Sequence, residues 1–271
     1  MTVPWLLSDA HGHMGTKAER NERREAGIPS ILCAITPKEA KELIRESREE
    51  NLGGEDGRQQ ERYLFPAAGI HPWYADRYEL QDMETWMERC PLIGEIGMDS
   101  VWCSVDLKTQ EIRFRQQLEL ALRQNKPVIL HTKGQEKEIG DVIRQYPNRY
   151  LVHWYSCDSY LEKYLEMDCC FSIGPDVWWN PSVQNTARQV PADRLLIETD
   201  GLDAVKWAYE EGIKAFKKNI IKKPETWEGT EHVTFALAHT LEAVAEIRHM
   251  PPERLGEEIR DNLLRFCGKS I

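Results

Sequence analysis

The stretch Val3-Pro-Trp-Leu-Leu7, followed by Asp9-Ala-His11-Gly-His13, opens the chain and sets the pattern for the rest of it: a short apolar run with polar, metal-competent side chains at its end. Alternation along an extended segment puts residues i and i+2 on the same side, so His11 and His13 can aim two imidazoles in one direction from the mouth of a strand. Seven more apolar runs follow, at residues 30–35, 63–70, 92–97, 128–132, 150–154, 170–174 and 195–199. Most are continuous and not alternating, the pattern of strands covered on both faces. Helical segments separate them. One runs from Ala40 to Glu50 behind Thr36-Pro-Lys-Glu39, where a capping Thr, a Pro at the first helical position and a Glu three after the cap coincide. Another covers residues 107–124 and stops at Asn125-Lys-Pro127.

Strand alternating with helix eight times, in a chain of 271 residues, predicts an α/β fold of the (β/α)8 TIM-barrel type. It is expected to form one domain over residues 1–271, with extra C-terminal helices at 204–219, 231–248 and 252–266. A doubly wound open sheet is the alternative. The polar, glycine-rich stretch at 51–60 reads as a surface loop.

Composition narrows the function. Hydrophobic residues make up 41% and charged residues 30%, as in ordinary soluble proteins, and no stretch is apolar for the roughly 18 residues a membrane span needs. The first nine residues lack a basic n-region, so no signal peptide is expected. Seven cysteines, an odd number without a CxxC, predict reduced thiols in a cytoplasmic protein, with Cys169-Cys170 as core packing. A net charge of −10 disfavours a nonspecific nucleic-acid coat, which rests on neutralising phosphates. It leaves room for a nucleic-acid enzyme whose metals supply the local positive charge.

Reactive groups in such barrels sit at the C-terminal ends of strands. Five of the eight histidines fall there: His11, His13, His71, His131 and His153. Glu95, between glycines in Ile93-Gly-Glu-Ile-Gly-Met-Asp99, and Asp200, closing Leu196-Ile-Glu-Thr-Asp200, join them. A lone carboxylate inside an apolar run carries a heavy desolvation cost that a cation removes. Four imidazoles and two carboxylates are too many for one tetrahedral zinc and suit two ions bridged by a carboxylate and a water. His232, His239 and His249 lie in the C-terminal helical region and read as surface or core histidines.

In order along the chain, Asp9-Ala-His-Gly-His13, Gly69-Ile-His-Pro72, Ile93–Asp99, Pro127-Val-Ile-Leu-His131, Leu151-Val-His153 with Tyr155-Ser156, Leu196–Asp200 and Asp261-Asn262-Leu-Leu-Arg-Phe266 resemble the motifs of the TatD family. These are metal-dependent hydrolases related to the amidohydrolases and described as deoxyribonucleases. The resemblance spans residues 5–267. It implies that His11, His13 and Asp200 hold one ion, that His131 and His153 hold a second, and that Glu95 bridges them. It implies two divalent cations (zinc, manganese or magnesium) and leaves His71 without a metal role, facing the substrate phosphate. Three loops depart from the family's usual sequence: Thr132-Lys-Gly134, Trp154-Tyr-Ser-Cys157 and Gly201-Leu-Asp203. The implied metal set is intact, while the substrate-facing loops are this chain's own.

The expected chemistry is hydrolysis of a phosphodiester in DNA, RNA or a small molecule by a metal-activated water, with Asp200 as general base and with His71 and Lys133 on the phosphoryl oxygens. Trp102, Trp154, Trp178 and Trp179, all read as strand-end loop residues, could stack bases, with plain packing the favoured reading for any one of them. The enzyme alternatives are an amidohydrolase or lactonase and a small-molecule phosphatase using the same metals. The non-enzyme alternative is a metal-binding scaffold barrel. No membrane partner is expected.

Overall fold

A computed structural model describes residues 5–52, 63–217 and 229–269. Eight parallel strands run in chain order, β1 (Asp9–His13), β2 (Ser30–Ala34), β3 (Leu64–Ala68), β4 (Leu92–Asp99), β5 (Val128–Lys133), β6 (Tyr150–Val152), β7 (Cys170–Ile173) and β8 (Leu195–Ile197). Each pairs with the next in parallel. The end of β8 returns to β1, where the Asp200 amide donates to the His11 carbonyl at 3.0 Å. The result is the barrel, not the open sheet.

The helices follow the strands in turn: α1 (Lys17–Glu25), α2 (Pro37–Leu52), α3 (Leu80–Arg89), α4 (Leu107–Gln124), α5 (Glu136–Ile143), α6 (Leu161–Leu165), α7 (Pro181–Gln189) and α8 (Leu202–Lys217), with α9 (Val233–Arg248) and α10 (Pro252–Phe266) completing the chain. Local chemistry explains their ends. Thr36 Oγ1 accepts from the Glu39 amide at 3.2 Å at the start of α2, ahead of Pro37. Asp106 caps α4 by accepting from the Thr109 amide at 3.0 Å, and Asn125 ends that helix in the left-handed conformation at φ 51°. Buried strand residues such as Ile31, Phe65, Ile93, Leu130, Leu151, Phe171 and Leu196 form one continuous core. α10 seals its side against β8, with Asn262 Nδ2 donating to the carbonyls of Ala192 (2.7 Å) and Leu195 (2.9 Å).

Several boundaries shift by a few residues from the sequence reading, and two of the differences are informative. The first strand is the polar segment Asp9–His13 itself, and the described part of the run at 3–7, Trp5–Leu7, lies outside any strand. A polar strand can stay buried there because its side chains find partners inside. Asp9 accepts from Arg23 Nη2 (2.8 Å), Thr199 Oγ1 (2.8 Å) and the Thr199 amide (3.0 Å), which ties β1 to the end of β8. Asp9 therefore serves barrel closure. In addition, α2 carries through Asn51 and Leu52, so the loop expected from residue 51 begins later, and the rest of that expectation lies outside the described residues.

Candidate active site

All of the expected site histidines and carboxylates converge at the C-terminal mouth of the barrel. Glu95 stands on β4, His131 on β5, His11 and His13 on β1, with His71, His153 and Asp200 just beyond β3, β6 and β8. Close packing of neighbouring backbones makes the convergence possible. A Cβ at Gly97 would lie 2.0 Å from the His131 carbonyl oxygen, so only glycine lets β5 approach β4 there. Asp200 holds a left-handed backbone at φ 56°, rare for a non-glycine residue, and the amide bond to His11 secures it.

Glu95 is the centre of the cluster. Its Oε1 lies 2.6 Å from His131 Nδ1 and 2.5 Å from His153 Nε2. Its Oε2 faces His11 Nε2 (3.5 Å), His71 Nε2 (3.5 Å) and His13 Nε2 (3.6 Å) and has no hydrogen-bond partner although it is buried. Asp200 Oδ1 lies 3.0 Å from His11 Nε2 and 3.4 Å from His13 Nε2. Three triads have ligand atoms close enough to share an ion: His11/His13/Glu95, His11/His153/Asp200 and His71/Glu95/His131.

These spacings test the fit of a metal. An N···O gap of 3.5 Å is long for a hydrogen bond. It matches the ~3.4 Å that separates two ligands each ~2.1 Å from a tetrahedral ion. A buried, partnerless carboxylate oxygen facing three imidazole nitrogens at that spacing fits a cation.

The electrostatics agree. Burial works to raise the pKa of Glu95, but the fields of His153, His71, His11 and His131 outweigh it and hold the carboxyl well below its ordinary value. Burial works in the opposite direction on His153, and Glu95 overcomes it to raise that pKa to about 10. Without an ion, protons on the imidazoles neutralise the carboxylate, and a bound cation would take their place. His71 differs. Burial drives its pKa down to about 3, so its ring is neutral. Its Nδ1 accepts from the Trp73 amide at 3.2 Å, which leaves the ring proton on Nε2. In that tautomer Nε2 carries the proton and offers a donor, although the same atom falls within the triad with Glu95 and His131.

Three side chains that the sequence reading gave no role orient the ligands. Asp99 Oδ2 accepts from His131 Nε2 (3.1 Å) and Trp73 Nε1 (2.8 Å), while Oδ1 accepts from the amides of Val101 (2.7 Å) and Trp102 (2.9 Å). Glu198 lies 3.4 Å from His153 Nδ1 and accepts from the Ser172 hydroxyl. Cys33 Sγ lies 3.5 Å from His11 Nδ1. Carboxylates behind metal-ligating histidines fix ring orientation and tautomer. Asp99 and Glu198 both stood inside quoted motifs, and an acid closing an apolar strand was the signal that could have marked them.

Above this floor a cavity of about 650 Å³ opens, walled by Trp73, Trp102, Trp154 and Trp207. Lys133 Nζ sits 4.5 Å from the Trp102 ring centroid and donates to Ser156 Oγ at 2.9 Å, so Lys133 is held at the wall. The expected aromatic set is corrected here. Trp102 and Trp154 line the cavity, but Trp178 and Trp179 do not. Trp178 packs against Tyr209 at 5.7 Å, and Trp179 Nε1 donates to the Ala208 carbonyl at 3.0 Å, both on the α8 side. Gly212 makes room for the pair, since a Cβ there would lie 2.1 Å from the Trp178 ring. In their place stand Trp73, just after His71, and Trp207 on α8. A tryptophan inside a helix carries no local mark of facing a site, so Trp207 was not legible.

Comparison with known proteins agrees with the site. The chain is 24% identical over 215 residues to an uncharacterized metal-dependent hydrolase of Buchnera aphidicola subsp. Baizongia pistaciae, covering 76% of this chain and 74% of that protein. It is 24% identical over 262 residues to the 3'-5' ssDNA/RNA exonuclease TatD of Yersinia pseudotuberculosis, covering 90% of each. The crystal structure of YjjV, a TatD homologue from Escherichia coli, superposes with a TM-score of 0.73 at 17% identity over 96% of this chain and 97% of that one, a likeness of fold. The sequence profile described as TatD related DNase matches residues 9–268. With a barrel of that fold and a histidine–carboxylate cluster at its mouth, the chain belongs to the TatD-related family of metal-dependent hydrolases.

Proposed function

We propose that the chain hydrolyses phosphodiesters at the 3′ end of single-stranded nucleic acid, holding two divalent cations in its barrel mouth. One observation carries the reading: the two oxygens of buried Glu95 face different sets of imidazoles, His131 and His153 on one side, His11, His13 and His71 on the other. That division supports Glu95 as a carboxylate that would be shared between two cations. His11, His13 and Asp200 would hold one ion and His131 and His153 the other. The exonuclease activity named for the Yersinia relative supports the substrate. Bound cations of this kind supply a water acidified towards neutral pH and positive charge for the phosphoryl oxygens.

The chain's own residues do the rest. Asp200 is the carboxylate of the cluster open to the cavity, with a fifth of its side chain exposed against 1% for Glu95. It takes the proton of the attacking water as general base. His71 presents Nε2–H to a phosphoryl oxygen and stabilises the charge that builds there. Lys133 adds a fixed positive charge at the cavity wall.

Elemental analysis of the purified protein, joined to a hydrolysis panel, tests this. Two equivalents of divalent cation and turnover of bis-p-nitrophenyl phosphate and single-stranded DNA, lost on chelation, are expected. Turnover of a lactone or amide with phosphodiesters untouched overturns the reading. A second reading, a hydrolase of small phosphodiesters only, draws support from a cavity of small-molecule size and a net charge of −10. It predicts that a single-stranded oligonucleotide fails to inhibit small-substrate turnover even at low salt, where phosphate binding is strongest.

A further inference from the structure

The geometry points to a base-stacking platform made by Trp102, Trp154 and Trp207, which seats the terminal nucleobase of the substrate beside the reacting phosphate. The inference rests on the phosphodiester reading above and names the part of the substrate that the cavity recognises.

Exposure is the first ground. Trp73, Trp102 and Trp207 are the exposed tryptophans among the described residues, at 43%, 53% and 41%, and all three line the one cavity that also contains His13, Glu95 and Asp200. Large aromatic surface left open to water and gathered in one place marks a binding surface. Arrangement is the second. The Trp102 and Trp154 rings lie 5.8 Å and 6.0 Å from the Trp207 ring, at 74° and 69° to it, so both meet it in T-shaped contacts that join the three into one aromatic cluster. All three rings line the cavity, and Trp102 and Trp207 remain exposed although Lys133 stands over one face of Trp102.

Rigidity is the third ground. Trp154 Nε1 donates to Asp176 Oδ1 at 2.7 Å, and its ring covers Gly174, where a Cβ would lie 2.4 Å away. Its backbone takes a left-handed turn at φ 40° immediately after His153. The Trp102 amide is held by the same Asp99 that accepts from His131. The platform is thus tied through named hydrogen bonds to the side chains around Glu95. Lys133 Nζ lies over one face of Trp102, 4.5 Å from its centroid, and places a cation within the same wall for the phosphate. Every base has a π-face, so such a platform takes any terminal base with little sequence preference.

Calorimetric titration of the purified protein with dAMP and with 2-deoxyribose 5-phosphate, which lacks the base, tests the platform without requiring turnover. Wild type should bind dAMP at least about tenfold tighter, the scale of one stacked base. Trp207→Ala should remove most of that preference while leaving affinity for the sugar phosphate unchanged, and Trp207→Phe should restore it. Trp102→Ala should also remove the preference, and by freeing Lys133 it should weaken affinity for the sugar phosphate as well. Trp207 and Trp102 are exposed, so both variants are expected to melt within a few degrees of wild type. Equal affinity of wild type for the two ligands overturns the platform, as does a preference that survives both alanine variants. A base preference without hydrolysis of bis-p-nitrophenyl phosphate would retain the platform and discard the phosphodiesterase reading. Hydrolysis without a base preference would do the reverse.

Discussion

The floor and the rim of the cavity are built on opposite principles. On the floor, six imidazole or carboxylate ligand candidates come from strands or from residues within three positions of a strand end, and hydrogen bonds to Asp99 and Glu198 orient two of the rings. At the rim, the tryptophans come from loops and from α8, and they contribute area more than charge. Strand ends are held by the parallel ladder on both sides, which suits groups whose placement must be accurate to a fraction of an ångström. Loops and helix faces can change without disturbing that ladder, which suits the surface that selects the substrate.

The sharpest way to break this contrast is to remove the centre of the floor. Glu95→Ala should lower phosphodiester hydrolysis by about 10³-fold or more, since it takes away the proposed shared ligand, while the far-ultraviolet circular dichroism stays that of the barrel. Near-native turnover in that variant would reduce Glu95 to a structural group.

A smaller effect is expected one step back. Asp99→Ala removes the acceptor behind His131 and the link to Trp73 and Trp102. Metal affinity, read by competition with a chromophoric chelator, should weaken by roughly 10- to 100-fold. Unchanged affinity would separate floor from rim completely and leave Asp99 serving the loop alone.

The smallest effect lies at the rim. Burial raises the pKa of Asp176 to about 6, against the partly compensating bonds from Asn180 and Trp154. The folded state therefore holds this proton more tightly than the unfolded chain, whose carboxyl titrates near 3.8. The stabilisation is complete below that lower value and is lost as pH rises through about 6. Between those limits the difference in unfolding free energy between wild type and Asp176→Asn should change by about 1.4 kcal/mol per pH unit, with wild type losing ground as pH rises. Parallel denaturation curves at pH 4.5 and 6 measure it, and a difference that does not move with pH would show Asp176 to be hydrated.

Much of the floor was legible because its signals are local. An HxH beside a short apolar run, a Glu between glycines and histidines directly after apolar runs each stand out within a few residues. The helix at 107–124 was marked by its breaker at Asn125-Lys-Pro127, and the structure keeps its boundaries and those read for 252–266. The first strand was misplaced because apolarity usually marks a buried strand, whereas Asp9–His13 is buried by virtue of partners up to 190 residues away, among them Thr199.

The sequence by itself determined the order of strands and helices, the chemistry available at the strand ends and the family to which these motifs point. Those depend on residue type and short-range spacing, which periodicity and capping rules read directly. Tertiary structure alone decided which acid stands behind which histidine, that His71 carries its proton on Nε2, and that Trp207 and not Trp178 faces the cavity. These are relations between atoms far apart in the chain, set by how helices rotate and where glycine lets backbones meet, and no local pattern encodes them.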